Sequence, residues 1–444
     1  MRGIQTAAAA LALVSCTPHA QDRAGADAAT PTAPDASSPI APADGAADAG
    51  SGSAMPPPPE GSSDPTGFGD SVLGSASSSL FSTSLGTNGR SCATCHVQAE
   101  GWSVTPADVQ ARFQATAGTD PIFRTVDGTN SPHADVSTLA AMQASYSMLL
   151  SRAVLRIGIG MPTGADFTLA AVDDPYGFAS AAELSLFRRP LPATNLRFLT
   201  SIMWDGREAS LTSQASDATQ GHAQATSIDP DQMAAIVEYE SEISTAQSYD
   251  NAAGALDGSG ATGGPLALSQ IATTPSSGPV LALYAAWNGS PSPAQASIAR
   301  GEQIFETRAF AISGVAGIAD QQGTCATCHD NPAAGGNTAA MYAATGVAAA
   351  SRRTPDLPLY TFARSSDGAT VQTTDPGLAL ITGAFADMSK FKVPTLRALA
   401  MRAPYFHDGS AATLAAVVAF YEQRFAIGLT AQDQTDLVAF LQAI

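Results

Sequence analysis

The chain has 444 residues, 14% of them charged, with a formal net charge of −18 at pH 7. A surface this acidic repels phosphate backbones, so nucleic acid is excluded as a partner and a basic or neutral protein is favoured. Lysine occurs only at Lys390 and Lys392, which excludes a lysine-rich docking face.

At the N-terminus Arg2 precedes an apolar run that ends in Leu13-Val14-Ser15-Cys16. Such a run is a signal-peptide core and is too short to span a bilayer. Residues 1–16 therefore read as a lipoprotein-type signal peptide with a lipobox, implying cleavage before Cys16 and a lipid on its sulfur. Thr17, in place of aspartate, points to retention at the outer membrane. The expected location is thus periplasmic or at the cell surface, with the membrane reached only through the anchor. Residues 17–65 are Ala, Pro, Asp, Ser and Gly with almost no large apolar side chains, the composition of a disordered tether.

The remaining chain is long enough for two domains. We expect a mainly α fold of two domains with long loops, over 66–285 and 290–444. Four of the five cysteines form two copies of C-A-T-C-H, Cys92-Ala-Thr-Cys95-His96 and Cys325-Ala-Thr-Cys328-His329. In C-x-x-C-H two thiols bond the porphyrin vinyls and the adjacent histidine ligates iron. A thioredoxin-type pair does not require that histidine, and zinc ligands come in closely spaced pairs. Two covalently bound haem c groups are therefore expected, one in each of two cytochrome c-like haem domains.

The stretch from Val97 to Pro190 is long for a cytochrome domain, carries turn signals, and predicts a helix over Ser137–Leu155. Asp250–Gly278 reads as a connection or surface loop. Ser292–Phe310 has helical spacing, with Gly301 placed to let a second helix approach. The chain closes on a helix capped by Thr430, with Asp433 at its third position and Leu437, Phe440 and Leu441 as its apolar face. Alternation of the β type is weak throughout.

Phe391-Lys-Val-Pro-Thr-Leu-Arg397 and Pro404-Tyr-Phe-His-Asp-Gly-Ser410 strongly resemble segments of the bacterial di-haem cytochrome c peroxidases and the related maturation enzyme of methylamine dehydrogenase. Trp204-Asp-Gly-Arg207, with Leu211 and Gln214, is similar to a second family segment. The resemblance implies a six-coordinate electron-storing C-terminal haem with His329 and Met388 as ligands; Met401 and His407 are rivals to Met388. It implies a peroxide-reducing N-terminal haem on His96, with Gln214 as a polar donor and Trp204 between the haems. The family's glutamate falls at Gln224, so the expected base is missing; His222 stands two residues away as a substitute base or an iron ligand. His133 is expected at the surface. Thr374-Asp-Pro376 resembles a family segment that helps bind one calcium ion through the Thr and Pro carbonyls.

The implied activity is reduction of hydrogen peroxide with electrons from a small cytochrome c or copper protein. A pure electron-transfer cytochrome, or oxidation of a larger substrate by the same haem pair, stays open at this point.

Overall fold

The structure, a computed structural model, describes residues 66–72, 78–271 and 280–444. The signal peptide over 1–16, the lipid site at Cys16 and the tether over 17–65 lie outside the described residues.

In chain order the first half has strand β1 (Thr66–Val72), helices α1 (Pro106–Thr116), α2 (Leu139–Ser145) and α3 (Ser147–Arg152), strands β2 (Leu155–Ile159), β3 (Phe167–Asp173) and β4 (Leu184–Arg188), helices α4 (Leu211–Gly221) and α5 (Pro230–Glu242), and strand β5 (Ile243–Asp250). Side-chain caps start the helices. The Thr105 hydroxyl accepts from Asp108 ahead of α1, that of Ser210 accepts from Ser213 ahead of α4, and the Asp229 carboxylate does the same work at α5. In α1 and α5 a proline at the first position fits because no intrahelical partner is lost there.

The second half bears out its predicted helices. Pro293–Thr307 forms under a Ser292 cap, and Ala431–Ala443 starts with the Thr430–Asp433 capping box. Gly301 is where they cross: a Cβ there would meet the Asp436 carbonyl oxygen at 2.0 Å and the Phe440 Cβ at 2.6 Å. Only glycine permits that approach. Phe305, Phe440, Leu437 and Leu441 fill the contact, and Leu256, Tyr284 and Trp287 complete the same core. Ala253, Leu256, Ala261 and Leu268 of the Asp250–Gly278 stretch are thus built into the interior, where a connection or a surface loop was expected.

The stretch Val97–Pro190 departs most from expectation. The predicted helix over Ser137–Leu155 is two short helices interrupted at Tyr146, and it ends at Ala153 in a left-handed conformation. Beyond it come strands that alternation did not reveal. β4 pairs with β2 and is buried at all five positions, so no polar face exists to alternate. β3 joins the strand Leu359–Arg364 of the second half, which in turn pairs with Thr370–Thr373. Short sheets therefore accompany the helices, and the insertion is stitched to the second half. Arg152 adds an ion pair with Asp356, and the Tyr360 hydroxyl bonds both the N–H and the carbonyl of Ser185.

The tightest stitch is Arg188, at the end of β4. Its guanidinium bonds Asp205 at 2.5 Å and Asp375 at 2.7 Å, with side-chain exposures of 2%, 0% and 2%. Burial alone would raise the Asp205 carboxyl, but the Arg188 and Arg207 charges outweigh it and hold the carboxyl below its ordinary value. Arg188→Met should cost about 3–5 kcal/mol, because buried Asp375 loses its guanidinium partner and buried Asp205 keeps only Arg207. Urea unfolding of the haem-loaded protein checks this; a loss under about 1 kcal/mol, the size of an exposed pair, would contradict it.

Candidate functional site

Each C-A-T-C-H segment is one helical turn closed by the same device. The motif threonine accepts the N–H of the residue ahead of the first cysteine, Thr94 from Ser91 at 3.0 Å and Thr327 from Thr324 at 2.8 Å. The histidine Nδ1 meets a carbonyl six residues on, His96 with Trp102 at 3.2 Å and His329 with Gly335 at 2.6 Å. With the proton assigned to Nδ1, Nε2 keeps its lone pair for iron. Both carbonyls belong to left-handed residues, Trp102 with φ 61° and Gly335 with φ 66°. A phenylalanine leans on each imidazole, Phe81 at 6.4 Å and Phe305 at 6.1 Å between centroids. Burial pushes His96 down to about 4 and lowers His329, so both rings are neutral near pH 7, as ligands must be. Burial pushes Cys92 and Cys325 up to about 12 and Cys95 to about 11, opposite to the activated thiol of a redox pair.

A cavity opens beside each motif, about 170 Å³ at Cys92–His96 and about 250 Å³ at Cys325–His329. Both walls are chiefly apolar and include the motif cysteines and histidine. Arg189, Pro190, Leu191, Pro192, Trp204 and Lys392 line both cavities. The Trp204 indole N–H donates to the Arg189 carbonyl at 2.9 Å, and the Lys392 backbone N–H donates to the Trp204 carbonyl at 2.9 Å. Three buried cations face the C-terminal cavity, and among the described residues none has a carboxylate within ion-pairing distance. Arg189 and Arg402 bond backbone carbonyls, Lys392 bonds the Ser201 carbonyl at 3.1 Å, and one Arg402 nitrogen has no partner. Burial pulls all three below their ordinary values. An apolar slot with thiols, an oriented imidazole and uncompensated cations fits a porphyrin, whose two propionates supply the missing negative charge.

The predicted residues divide. Gln214 and His222 stand on the wall of the N-terminal cavity, and Trp204 lies on both walls. Gln224 does not line it: its side chain is exposed, its φ is 57°, and its carbonyl accepts from the Thr87 hydroxyl at 3.0 Å. The expectation that Gln224 fills the glutamate's place is corrected accordingly. His133 is exposed and edge-on to Phe178, as expected. Met388 is not on the cavity lining: it packs with Phe167, Tyr360, Phe362 and Leu380 beneath the β3 sheet, a core contact of the kind methionine often makes. Met401 is likewise absent from the lining, whereas His407 is on it, stacked on Phe391 at 4.3 Å with Nδ1 unpartnered. The residues expected at a calcium site have partners within the chain. The Pro376 carbonyl already accepts from Ser389 at 2.8 Å and Ala379 at 3.3 Å, and Asp375 is engaged by Arg188. Thr374 and Pro376 therefore belong to an interior turn. Among the described residues no group of three or more His, Cys, Asp or Glu is placed to hold a metal ion.

Two polar groups on the cavity walls escaped the sequence. Tyr421 lines the C-terminal cavity, its phenol pushed up to about 12 by burial. Glu240, on α5, lines the N-terminal cavity with an unpartnered carboxyl oxygen, and burial pushes it up to about 8. Both sit at ordinary helical positions, and the one available signal was a glutamate among the core positions Met233 and Ile236 of α5.

The two cavities and their attachment turns define a c-type haem protein. Residues 78–256 match the profile of the family described as di-haem cytochrome c peroxidase. The chain is 38% identical over 98 residues to the cytochrome-c peroxidase IdrP2 of Denitromonas iodatirespirans, covering 20% of this chain and 24% of that protein. It is 38% identical over 92 residues to the cytochrome c551 peroxidase of Nitrosomonas europaea, covering 20% and 21% respectively. The match thus spans about a quarter of the length of these curated relatives. A crystal structure of a MauG-like protein associated with microbial copper homeostasis aligns with a TM-score of 0.39 and 17% identity, over 82% of this chain and 85% of that chain. Residues 78–256 are thus similar to a di-haem cytochrome c peroxidase domain, a likeness that covers less than half of the chain. Among the described residues no helix is long and apolar enough to cross a membrane.

Met388→Ala should lower stability by about 2–5 kcal/mol through the cavity it leaves, with both haem potentials unchanged. Thermal unfolding and a redox titration on one sample test this; a shifted potential would return Met388 to the iron. Glu240 gives a pH signature. Its carboxyl is raised in the folded state, so its contribution is fully present below about 4.5 and is lost as pH rises toward about 8. Glu240→Gln should therefore gain stability over wild type progressively between those limits, measured by denaturant unfolding at several pH values. A constant difference would sink the assignment.

Proposed function

We propose that the chain is a di-haem oxidoreductase that reduces hydrogen peroxide at the N-terminal cavity, with electrons relayed from the C-terminal one. In this reading residues 66–285 and 290–444 are its two haem modules, and residues 1–16 export it and anchor it through Cys16. The observation that carries the proposal is the polar set on one wall only: Gln214, His222 and Glu240 line the cavity of His96, while Trp204 touches both cavities.

Haem, when bound, would supply the redox chemistry that cleaves the peroxide bond. The protein's own part is positioning and proton movement. Hydrogen peroxide takes up two electrons and two protons and leaves as two waters. The His222 Nε2 would accept a proton from one peroxide oxygen and give it to the other, the leaving oxygen, which the Gln214 amide would hold by a hydrogen bond. Glu240, neutral near pH 7, is a second proton source on the same wall. Trp204 provides an aromatic step on the path between the two sites. The apolar lining excludes bulk water. The donor is a small one-electron redox protein, a cytochrome c or a copper protein, and the net charge of −18 favours a basic or neutral one. At the C-terminal cavity His407 and Tyr421 are the side chains that offer an iron-ligating atom in place of Met388.

The half-reduced protein mixed with peroxide tests the proposal. One high-spin haem and rapid reoxidation of the stored electron are expected, and His222→Gln should slow that reoxidation about a hundredfold or more. Two low-spin haems indifferent to peroxide would leave an electron carrier instead.

A further inference from the structure

Val97–Pro190 stitches the two halves together, and it also reaches into the N-terminal cavity. Asp127 sits within it, 4% exposed, and its backbone carbonyl accepts the Arg156 N–H at 2.8 Å. One carboxylate oxygen is paired with Arg90; the other meets the His222 Nδ1 at 2.5 Å. Arg90 is itself locked, with Nε on the Pro121 carbonyl at 2.9 Å and Nη2 on the Ile122 carbonyl at 2.7 Å. The His222 backbone is held from the same side, because the Asn88 amide donates to its carbonyl at 2.8 Å. Segment 86–88 lies directly against residues 222–224: a Cβ on Gly86 would meet the Ala223 carbonyl oxygen at 1.8 Å, and the Thr87 N–H donates to that carbonyl at 3.1 Å.

A charge as deeply buried as Asp127 needs partners, and two suffice: a guanidinium fixed by the backbone and an imidazole N–H. A carboxylate on Nδ1 selects one tautomer. The proton stays on Nδ1, and Nε2 is left with its lone pair on a side chain that lines the cavity. We propose that Asp127 is a positioning residue, supplied by the insertion, that holds His222 as the proton acceptor of the N-terminal cavity. The inference rests on the peroxide-reducing function proposed above. It accounts for a working site in which position 224 carries an exposed amide. The carboxylate acts through His222, fixing its ring and balancing the charge that the ring takes up while it carries the proton from one peroxide oxygen to the other.

The test uses the full haem-loaded chain and two readouts. One is peroxide turnover. The other is the association rate of cyanide with the ferric N-terminal haem, followed by its spectrum, since hydrogen cyanide must give up its proton to bind as the anion. Asp127→Asn should slow both about ten- to a hundredfold, with two haems still attached. Nδ1-methylhistidine placed at position 222 removes the same bond while leaving the Arg90–Asp127 pair intact, and it should reproduce the loss even where Asp127→Asn fails to fold. In a His222→Gln background, Asp127→Asn should add nothing. Wild-type rates for the Nδ1-methyl variant, or an equal further loss in the His222→Gln background, would overturn the inference. Unchanged rates for His222→Gln alone would remove the proposed base and Asp127's role with it. Slow His222→Gln beside wild-type Asp127→Asn would remove only Asp127's role.

Discussion

The arrangement of both cavities depends on one buried cation. Arg188 bridges Asp205 and Asp375, and no member of the trio is more than 2% exposed. Asp205 follows Trp204 in the chain, so the bridge fixes the indole that both cavities share. Asp375 lies 3.9 Å from the His407 Nε2, so the same bridge sets the polar edge of the C-terminal cavity. Three charges this deep are tolerable only in combination, because each alone carries a desolvation penalty of several kcal/mol. The bridge is therefore a strong specifier of geometry: the strand bearing Arg188 must dock in one register for all of its hydrogen bonds to form.

The halves solve the attachment problem in the same way. A threonine closes the turn, a left-handed residue turns its carbonyl toward the histidine, and a phenylalanine packs against the ring. They differ in what surrounds that turn. Apart from the shared residues, the wall around His96 offers an amide, an imidazole and a buried carboxyl, whereas that around His329 offers aromatic rings, a phenol, the His407 imidazole and Arg402. The chemistry proposed for each cavity follows from its neighbours.

Local signals were legible in the sequence. The attachment motifs, the capped terminal helices and the close approach at Gly301 each depend on a few adjacent residues, and the structure has them as expected. Contacts that depend on residues far apart in the chain were not legible. β4 looks like any apolar run, because both of its faces are covered. Met388 lies close in sequence to the Phe391–Arg397 segment, yet the turn at Pro376 and Ser389 carries it under a different sheet. Gln224 sits at the spacing of a glutamate, but a left-handed turn presents it to solvent. Asp127 lies 95 residues from His222, and no spacing rule connects them. Glu240 is one more polar residue on an amphipathic helix until burial is known.

Arg189–Pro192, Trp204 and Lys392 belong to two walls at once. A partition shared in this way cannot be remodelled for one centre alone. Widening it on one side thins it on the other, and a change in the charge of Lys392 acts on both irons with the same sign. The two sites form a single electrostatic compartment with two attachment points. Selection, or an engineer, must tune their potentials as a sum on this partition and can separate them only at the outer walls.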